Sequence, residues 1–318
     1  MKNSLKNKKI LITGINGFVG SALKNSLNSL GAMVFGISKS GRSNEQILKA
    51  DILDYSTIDK FMRDSGIQIC FHLASKALVE EGQHDPYQTF KVNVDGTLNI
   101  LEIARKNKLE KVIIASTSHV YGKNKVPYVE SYMLSPTRPY ETSKACADII
   151  AQSYAESFNI PVLIPRFVNI YGPGDLNFQR LIPKTIKSVL EESSPQMWGG
   201  TAVRDYLFID DAIDAYLLLA NAEIKKNDEN GVFNFGGGSI ISVEDLIKKI
   251  INLSGKKIEI KKVSDEREGE IDSQYVSFGK ATKLLGWKSK VGLDEGLTRT
   301  IDWYKKNSVL SIKSNIQK

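Results

Sequence analysis

Tyr140 and Lys144 stand four residues apart in Pro139-Tyr140-Glu141-Thr142-Ser143-Lys144-Ala145-Cys146-Ala147-Asp148, where a helical pattern begins. On a helix that spacing places both side chains on one face. A phenol with a reference pKa of about 10 is a poor base at neutral pH unless a nearby cation favours its anion, and Lys144 is placed to supply that cation. The chemistry on offer is proton exchange with a hydroxyl or carbonyl oxygen. Tyr-x-x-x-Lys pairs also occur by chance on solvated helices, so the pair gains meaning only from what surrounds it.

The surrounding elements predict a nucleotide site. Ile10-Leu11-Ile12-Thr13 reads as a short apolar strand, followed by Gly14-Ile15-Asn16-Gly17-Phe18-Val19-Gly20 and a helical pattern through Leu30. Glycines in that strand-turn-helix context allow a tight turn and close backbone approach, so a pyrophosphate can sit on the helix N-terminus. The second strand, residues 33–38, ends at Ser38 without the carboxylate that usually holds the ribose 2′-hydroxyl of NAD. Lys39 and Arg42 follow instead, which favours NADP over NAD. Asp51, just before Ile52, could hydrogen-bond an adenine amino group or cap a turn. A third strand, residues 67–74, contains His72, which reads as a satisfied core histidine. It runs through Leu73 into Ala74, Ser75 and Lys76, where small side chains leave room for a cofactor backbone.

Asn93 lies in the apolar stripe of a helix over about residues 86–106 and needs hydrogen-bond partners there. The fourth strand, residues 111–116, ends in Thr117, Ser118 and His119. Residues beyond the carboxyl ends of parallel strands line the ligand crevice, so this hydroxyl cluster is a candidate site. With a fifth strand at residues 162–166, the alternation predicts an α/β fold built on a doubly wound parallel sheet.

Composition narrows the function classes. With 318 residues, 42% hydrophobic and 25% charged, the chain can bury a substantial core and does not read as disordered. The net charge of +7 invites a nucleic-acid partner, but Lys2, Lys6, Lys8 and Lys9 cluster at one end and Lys305, Lys306, Lys313 and Lys318 at the other. That distribution fits a solvated basic surface, and no nucleic acid is expected. Cys70 and Cys146 are the two cysteines and read as free thiols in a reducing compartment. No secretory leader is evident and no stretch approaches the roughly 20 apolar residues that span a bilayer, so a cytoplasmic protein without a membrane partner is expected. No metal site is expected either.

Taken together, the motifs resemble the extended short-chain dehydrogenases/reductases, specifically the NAD(P)-dependent nucleotide-sugar epimerase/dehydratase family. The matching residues, in the family's order, are Thr13-Gly14-x-x-Gly17-Phe18-Val19-Gly20, Asp51, His72-Leu73-Ala74, Asn93-Val94-x-Gly96-Thr97, Ser116-Thr117 before Val120-Tyr121-Gly122, and Tyr140-x-x-x-Lys144. Arg166-Phe167-x-Asn169-x-Tyr171-Gly172-Pro173, Val203 to Asp211, Arg267-x-Gly269-Glu270 and Leu285-Gly286-Trp287 continue the likeness, which covers about residues 8–306.

The resemblance implies hydride transfer at sugar C4 with a proton relay. Tyr140 would exchange the proton, Lys144 would bind the nicotinamide ribose and lower the tyrosine pKa, and Thr117 would hydrogen-bond the same sugar oxygen. The cofactor would lie along Gly14, Asn16, Gly17, Phe18, Val19, Gly20, Ser38, Lys39, Arg42, Asp51, Ile52, Leu73, Ala74, Ser75, Lys76, Asn93 and Ser116, reaching Tyr140 and Lys144. A nucleotide-diphosphate sugar would meet Ser118, His119, Asn169, Arg204 and Arg267, the arginines suiting paired phosphate oxygens. The family also implies a Rossmann domain over residues 1–170 and a smaller, interleaved substrate lobe over 171–318, with returning segments at about 203–236 joining the main sheet. A homodimer through the helices of Asn93 and Tyr140 is expected.

In the family's 4,6-dehydratases an Asp-Glu or Asp-Lys pair follows the Thr or Ser; here Ser118 and His119 follow. A serine hydroxyl cannot act as a general acid at neutral pH, which excludes a dehydratase although residues 138–148 and 169–219 locally resemble CDP-glucose dehydratases. The expectation is an NADPH-using 4-ketoreductase of a 4-keto-6-deoxy sugar, with a UDP-glucose 4-epimerase-like reaction as the alternative. Relatives that became cofactor sensors or scaffolds lost the tyrosine or lysine; both are present here.

Overall fold

The computed structural model describes residues 4–223, 231–264 and 270–307. Its chain divides into two compact units, one formed by the residues up to Phe167 with Ile213–Phe235 and Ser277–Trp287, the other by Val168–Ala212, Gly236–Val276 and the residues from Lys288 on.

The first unit is organised by eight strands: β1 (Lys9–Thr13), β2 (Met33–Ser38), β3 (Ile47–Lys49), β4 (Ile69–His72), β5 (Lys111–Ile114), β6 (Ser116–Thr117), β7 (Val162–Phe167) and β8 (Val232–Phe235). They run in the order β8-β7-β5-β4-β1-β2-β3, with β6 pairing β7. Every pairing is parallel. The strands read as almost unbroken apolar runs because such a sheet is buried on both faces. Leu11, Cys70 and Val112 share one face by register and join a core with Ile58, Met62, Ile100 and Ile103. Ile12, Phe71 and Ile113 take the opposite face, where Tyr216 meets the Phe71 ring edge-on at 5.9 Å between centroids.

The helices that position the site are α1 (Phe18–Ser29), α2 (Tyr55–Ser65), α3 (Gly96–Asn107), α4 (Pro139–Phe158) and α5 (Ile209–Asn221). Asp54 caps α2 by accepting from the Thr57 N–H at 3.1 Å, and Gly66, at φ 65°, ends it in the left-handed conformation. α4 starts with Pro139 in its first turn, where the missing N–H costs nothing, and ends at Asn159 with φ 54°. The expected helix over residues 86–106 is a run of Pro86–Phe90, a π turn over Lys91–Asp95, and α3.

β3 was not visible in the sequence, since only three residues pair and two of them are partly buried. The expected division at residue 170 differs from the observed one: residues 203–212 stay with the second unit, and Ser277–Trp287 also returns to the first. Trp287 accounts for that second return, being 1% exposed with its ring edge-on to Phe235 at 5.0 Å.

The second unit pairs Asn169–Tyr171 with Tyr206–Phe208, Gln196–Trp198 with Lys261–Ser264, and Val203–Arg204 with both Ile241–Ser242 and Ser273–Gln274. Its helices include Leu181–Leu190, Val243–Ser254 and Leu293–Lys306. Among the described residues no helix is long and apolar enough to cross a membrane, and no group of three or more His, Cys, Asp or Glu side chains could hold a metal ion.

Candidate active site

The glycine turn is shaped by close backbone approach. Gly14 adopts φ 71°, its N–H donates to the Ile37 carbonyl at 2.8 Å, and a Cβ on it would lie 3.1 Å from the Ala74 nitrogen. A Cβ on Gly20 would come within 2.3 Å of the Gly14 carbonyl oxygen, so only glycine lets α1 pack this tightly on the turn. No side chain caps α1 at Gly17. Its first-turn N–H groups therefore present a positive end, and these residues fit a dinucleotide pyrophosphate. Thr13 secures the neighbouring wall. Its hydroxyl oxygen accepts from the Leu73 and Ala74 N–H groups, both at 3.1 Å, and so must donate its own proton to His72 Nδ1 at 2.8 Å. Burial, and then the Lys144 charge, push the His72 pKa down to about 3, so this is a neutral, satisfied core histidine.

At the end of β2, Asn16 donates to the Ser38 hydroxyl and the Ser40 carbonyl, both at 3.1 Å, joining this loop to the glycine turn. Lys39 forms an ion pair with Asp51 at 2.8 Å, while Arg42 is exposed. Asp51 also accepts from the Leu53 N–H at 3.0 Å, so it caps a turn. Burial opposes its charge, yet the Lys39 hydrogen bond, the Leu53 N–H and the lysine charges hold its carboxyl below the ordinary range. The expectation of a carboxylate-free β2 end is therefore corrected. β3 pairs with β2, which returns the chain and delivers Asp51 from beyond β3 to neutralise Lys39. Ile52 is buried against Gly96 of α3.

Asn93 sits in the π turn, where the extra residue re-aims side chains. Its amide accepts from Lys76 N–H at 2.8 Å, donates to the Lys76 carbonyl at 2.9 Å, and donates to Ser143 Oγ at 2.9 Å; Ser143 in turn donates to the Tyr140 carbonyl at 2.7 Å. The bend after Ser75 is thereby tied to the first turn of α4. The Lys76 ammonium pairs with Glu81 at 2.9 Å and Asp85 at 3.8 Å. Gly82 lies so close to Tyr140 that a Cβ there would be 3.1 Å from the tyrosine Cβ.

Tyr140 and Lys144 lie one turn apart on α4, both buried, and the Lys144 ammonium donates to the Ala115 carbonyl between β5 and β6. Burial lowers the Lys144 pKa to about 8, against the opposing charge of Asp148. Ser116 and Thr117 form β6, and Ser118 and His119 open the following tight turn. Glu141 is buried next to Tyr140. One carboxylate oxygen accepts from the Thr137 and Arg138 N–H groups at 3.3 Å, and the other faces His119 Nδ1 at 3.4 Å. Burial opposes the Glu141 charge, yet these contacts, His119 foremost, hold its carboxyl below the ordinary range.

α4 is anchored by a buried network of residues far apart in the sequence. The Asp148 carboxylate accepts from Arg166 Nε at 2.9 Å, Arg166 Nη2 at 2.8 Å and Ser116 Oγ at 2.7 Å. Arg166 also donates to Tyr121 Oη at 2.8 Å, and Tyr121 donates to Asn234 on β8 at 2.8 Å. The signal available in the sequence was a charged residue inside each of two apolar segments.

In the second unit, Asn169 donates to the Asp205 carbonyl at 3.2 Å, and the Asp205 carboxylate accepts from Gly238 and Ser239 N–H at 3.3 and 3.1 Å. Arg204 donates to the Ile271 carbonyl at 2.7 Å and pairs with Glu270 at 3.2 Å. Arg267 lies outside the described residues.

A parallel sheet with a glycine turn after β1, and Tyr140 and Lys144 on the helix after β6, defines an extended short-chain dehydrogenase/reductase. The chain belongs to the NAD dependent epimerase/dehydratase family, which matches residues 10–236. Among solved structures it is similar to the UDP-glucose 4-epimerase of Thermotoga maritima with UDP-glucose, at 29% identity and a TM-score of 0.88, over 94% of this chain and 99% of that one. It is also similar to the UDP-glucuronic acid 4-epimerase of Bacillus cereus in complex with UDP-glucuronic acid and NAD, at 30% identity and a TM-score of 0.84, over 94% and 99%. The dTDP-D-glucose 4,6-dehydratase of Homo sapiens is 30% identical, over 94% of this chain and 91% of its own.

Proposed function

We propose that the protein interconverts nucleoside-diphosphate sugars that differ at C4, as a 4-epimerase that keeps NAD bound between turnovers. The observation that carries the chemistry is the placement of Tyr140 and Lys144 on one buried face of α4, with Lys144 held at Ala115 and Thr117 two residues beyond it. The pyrophosphate would be held by the turn Gly14 to Gly20, and the nicotinamide ribose by Lys144. When bound, the nicotinamide supplies a hydride acceptor and donor. Tyr140 takes the O4 proton as the C4 hydride departs, the Lys144 ammonium favours the phenolate, and Thr117 hydrogen-bonds O4. Asn169, Arg204 and Arg267 serve the sugar diphosphate, with Glu270 orienting the Arg204 fork.

The Lys39–Asp51 pair favours NAD, because one of the two cations that would receive a 2′-phosphate is already neutralised and the partner is an anion. Similar 4-epimerases, one of them with NAD, support the same reading. The decisive experiment offers UDP-, dTDP-, CDP- and GDP-hexoses to the purified protein without added cofactor. Mass spectrometry identifies the retained nucleotide and NMR the C4 configuration. A C4 epimer formed without net redox change is the expected result; consumption of stoichiometric NADPH with a 4-keto-6-deoxy sugar would replace the epimerase with the 4-ketoreductase.

A further inference from the structure

We propose that Arg166 is a positioning residue for Lys144: by occupying Asp148, it keeps that carboxylate from drawing the Lys144 ammonium back along α4 and away from Tyr140. The inference rests on the role given to Lys144 above and adds what holds the ammonium in place.

Tyr140, Lys144 and Asp148 follow one another at intervals of four residues on α4, so they stack on one face, and all three are buried. Helical side chains lean toward the N-terminus. That aims the Asp148 carboxylate at the turn carrying Lys144, and Lys144 at the turn carrying Tyr140. A buried lysine with an unoccupied carboxylate one turn away would pair with it, because an ion removed from water is stabilised chiefly by its counter-ion. Lys144 instead donates to the Ala115 carbonyl between β5 and β6. His72, on β4, offers no alternative anion, since burial and then the Lys144 charge keep its ring neutral. Asp148 is the anion whose charge Lys144 feels.

The reason that charge does not capture the ammonium lies in how Asp148 is filled. Its Oδ2 accepts from Ser116 Oγ at 2.7 Å and Arg166 Nε at 2.9 Å, and its Oδ1 accepts from Arg166 Nη2 at 2.8 Å and Gln152 Nε2 at 2.7 Å. An ionised carboxylate has about four acceptor sites, and these bonds take them. The two from Arg166 come from one planar fork, which an ammonium displaces only by breaking both. Arg166 is itself held. Strand register sets it beside Ser116, and its Nη1 donates to Tyr121 Oη at 2.8 Å. Ser116, expected at the cofactor, gives its proton to Asp148 and directly follows Ala115. One strand end therefore helps to fill the competing carboxylate and also supplies the carbonyl that receives Lys144.

The test frees the carboxylate with Arg166→Met. A crystal structure of the variant should show Lys144 Nζ moved from the Ala115 carbonyl to Asp148. NAD affinity at neutral pH, read by calorimetry, should fall roughly 10- to 100-fold, as for loss of one charge-assisted hydrogen bond. Pairing favours the ammonium, so the alkaline limb of turnover should move above the wild-type value of about 8. Arg166→Gln keeps one neutral bond to Asp148 and gives the same three readings if the methionine variant does not fold. The double variant Asp148→Leu/Arg166→Met removes competitor and guard together. It should keep Lys144 at Ala115, bind NAD at mildly acid pH as the wild type does, and move the limb below about 8, because the anion that supports the ammonium is gone. Opposite displacements in the single and double variants are what a merely structural network does not produce. Lys144 still at Ala115 in both single variants, or limbs that move the same way in single and double, would overturn the proposal. A wild type that epimerises none of the four classes of nucleotide hexose would instead overturn the C4 reading, while the position of Lys144 in the variant structures still decides this one.

Discussion

Replacing Asp148 with alanine should cost the fold about 3–5 kcal/mol, because it leaves the Arg166 guanidinium buried without its anion. Asp148 is fully buried and Arg166 is 2% exposed, and two charge-assisted bonds of 2.9 and 2.8 Å join them. At roughly 1.5–3 kcal/mol for each such bond, their loss alone reaches the same range. Urea unfolding followed by circular dichroism measures it. A slope near the top of about 1–3 kcal/mol per molar, fitting a chain of this size, makes the midpoint shift roughly 1–2 M. The double variant Asp148→Leu/Arg166→Met should recover most of the loss, since an apolar pair of similar volume removes both desolvated charges together. A single variant within about 1 kcal/mol of wild type, or a double variant as unstable as the two singles summed, would refute the account of this network.

Tyr140→Phe should lower turnover by about 10² or more while NAD affinity, read by calorimetry, changes little, because only the proton carrier is lost. Lys144, lowered to about 8 by burial, is charged below that pH and neutral above it, so turnover should fall as pH rises through about 8; a flat profile across that window would deny the ammonium its role. The same depressed value means the folded chain binds fewer protons than the unfolded one between about 8 and 10.5, so Lys144 adds stability above that window and the gain is lost as pH falls through about 8. Gly20→Ala should abolish NAD binding in a titration, since a Cβ 2.3 Å from the Gly14 oxygen must push α1 away from the turn. Finally, a homodimer through α3 and α4, where Leu98 and Ile149 are exposed, should sediment as such at micromolar concentration, and Ile149→Glu should release monomers.

The local elements were legible in the sequence because each is written in adjacent residues. The apolar runs at 10–13 and 111–114, the glycines at 14, 17 and 20, and the four-residue spacing of Tyr140 and Lys144 declare strand, turn and helix face without tertiary information. What only the tertiary structure decided were partnerships between residues distant along the chain. Lys39 reads as a free cation until β3 brings Asp51 back to it. Ser118 and His119 read as a missing acid pair until α4 sets Glu141 against the imidazole across 22 positions of sequence. Arg166 and Asp148 look like ordinary charges until α4 and β7 bury them together. Charge in a protein acts through distance and burial, and neither is a property of sequence spacing once the chain has crossed from one strand to the next.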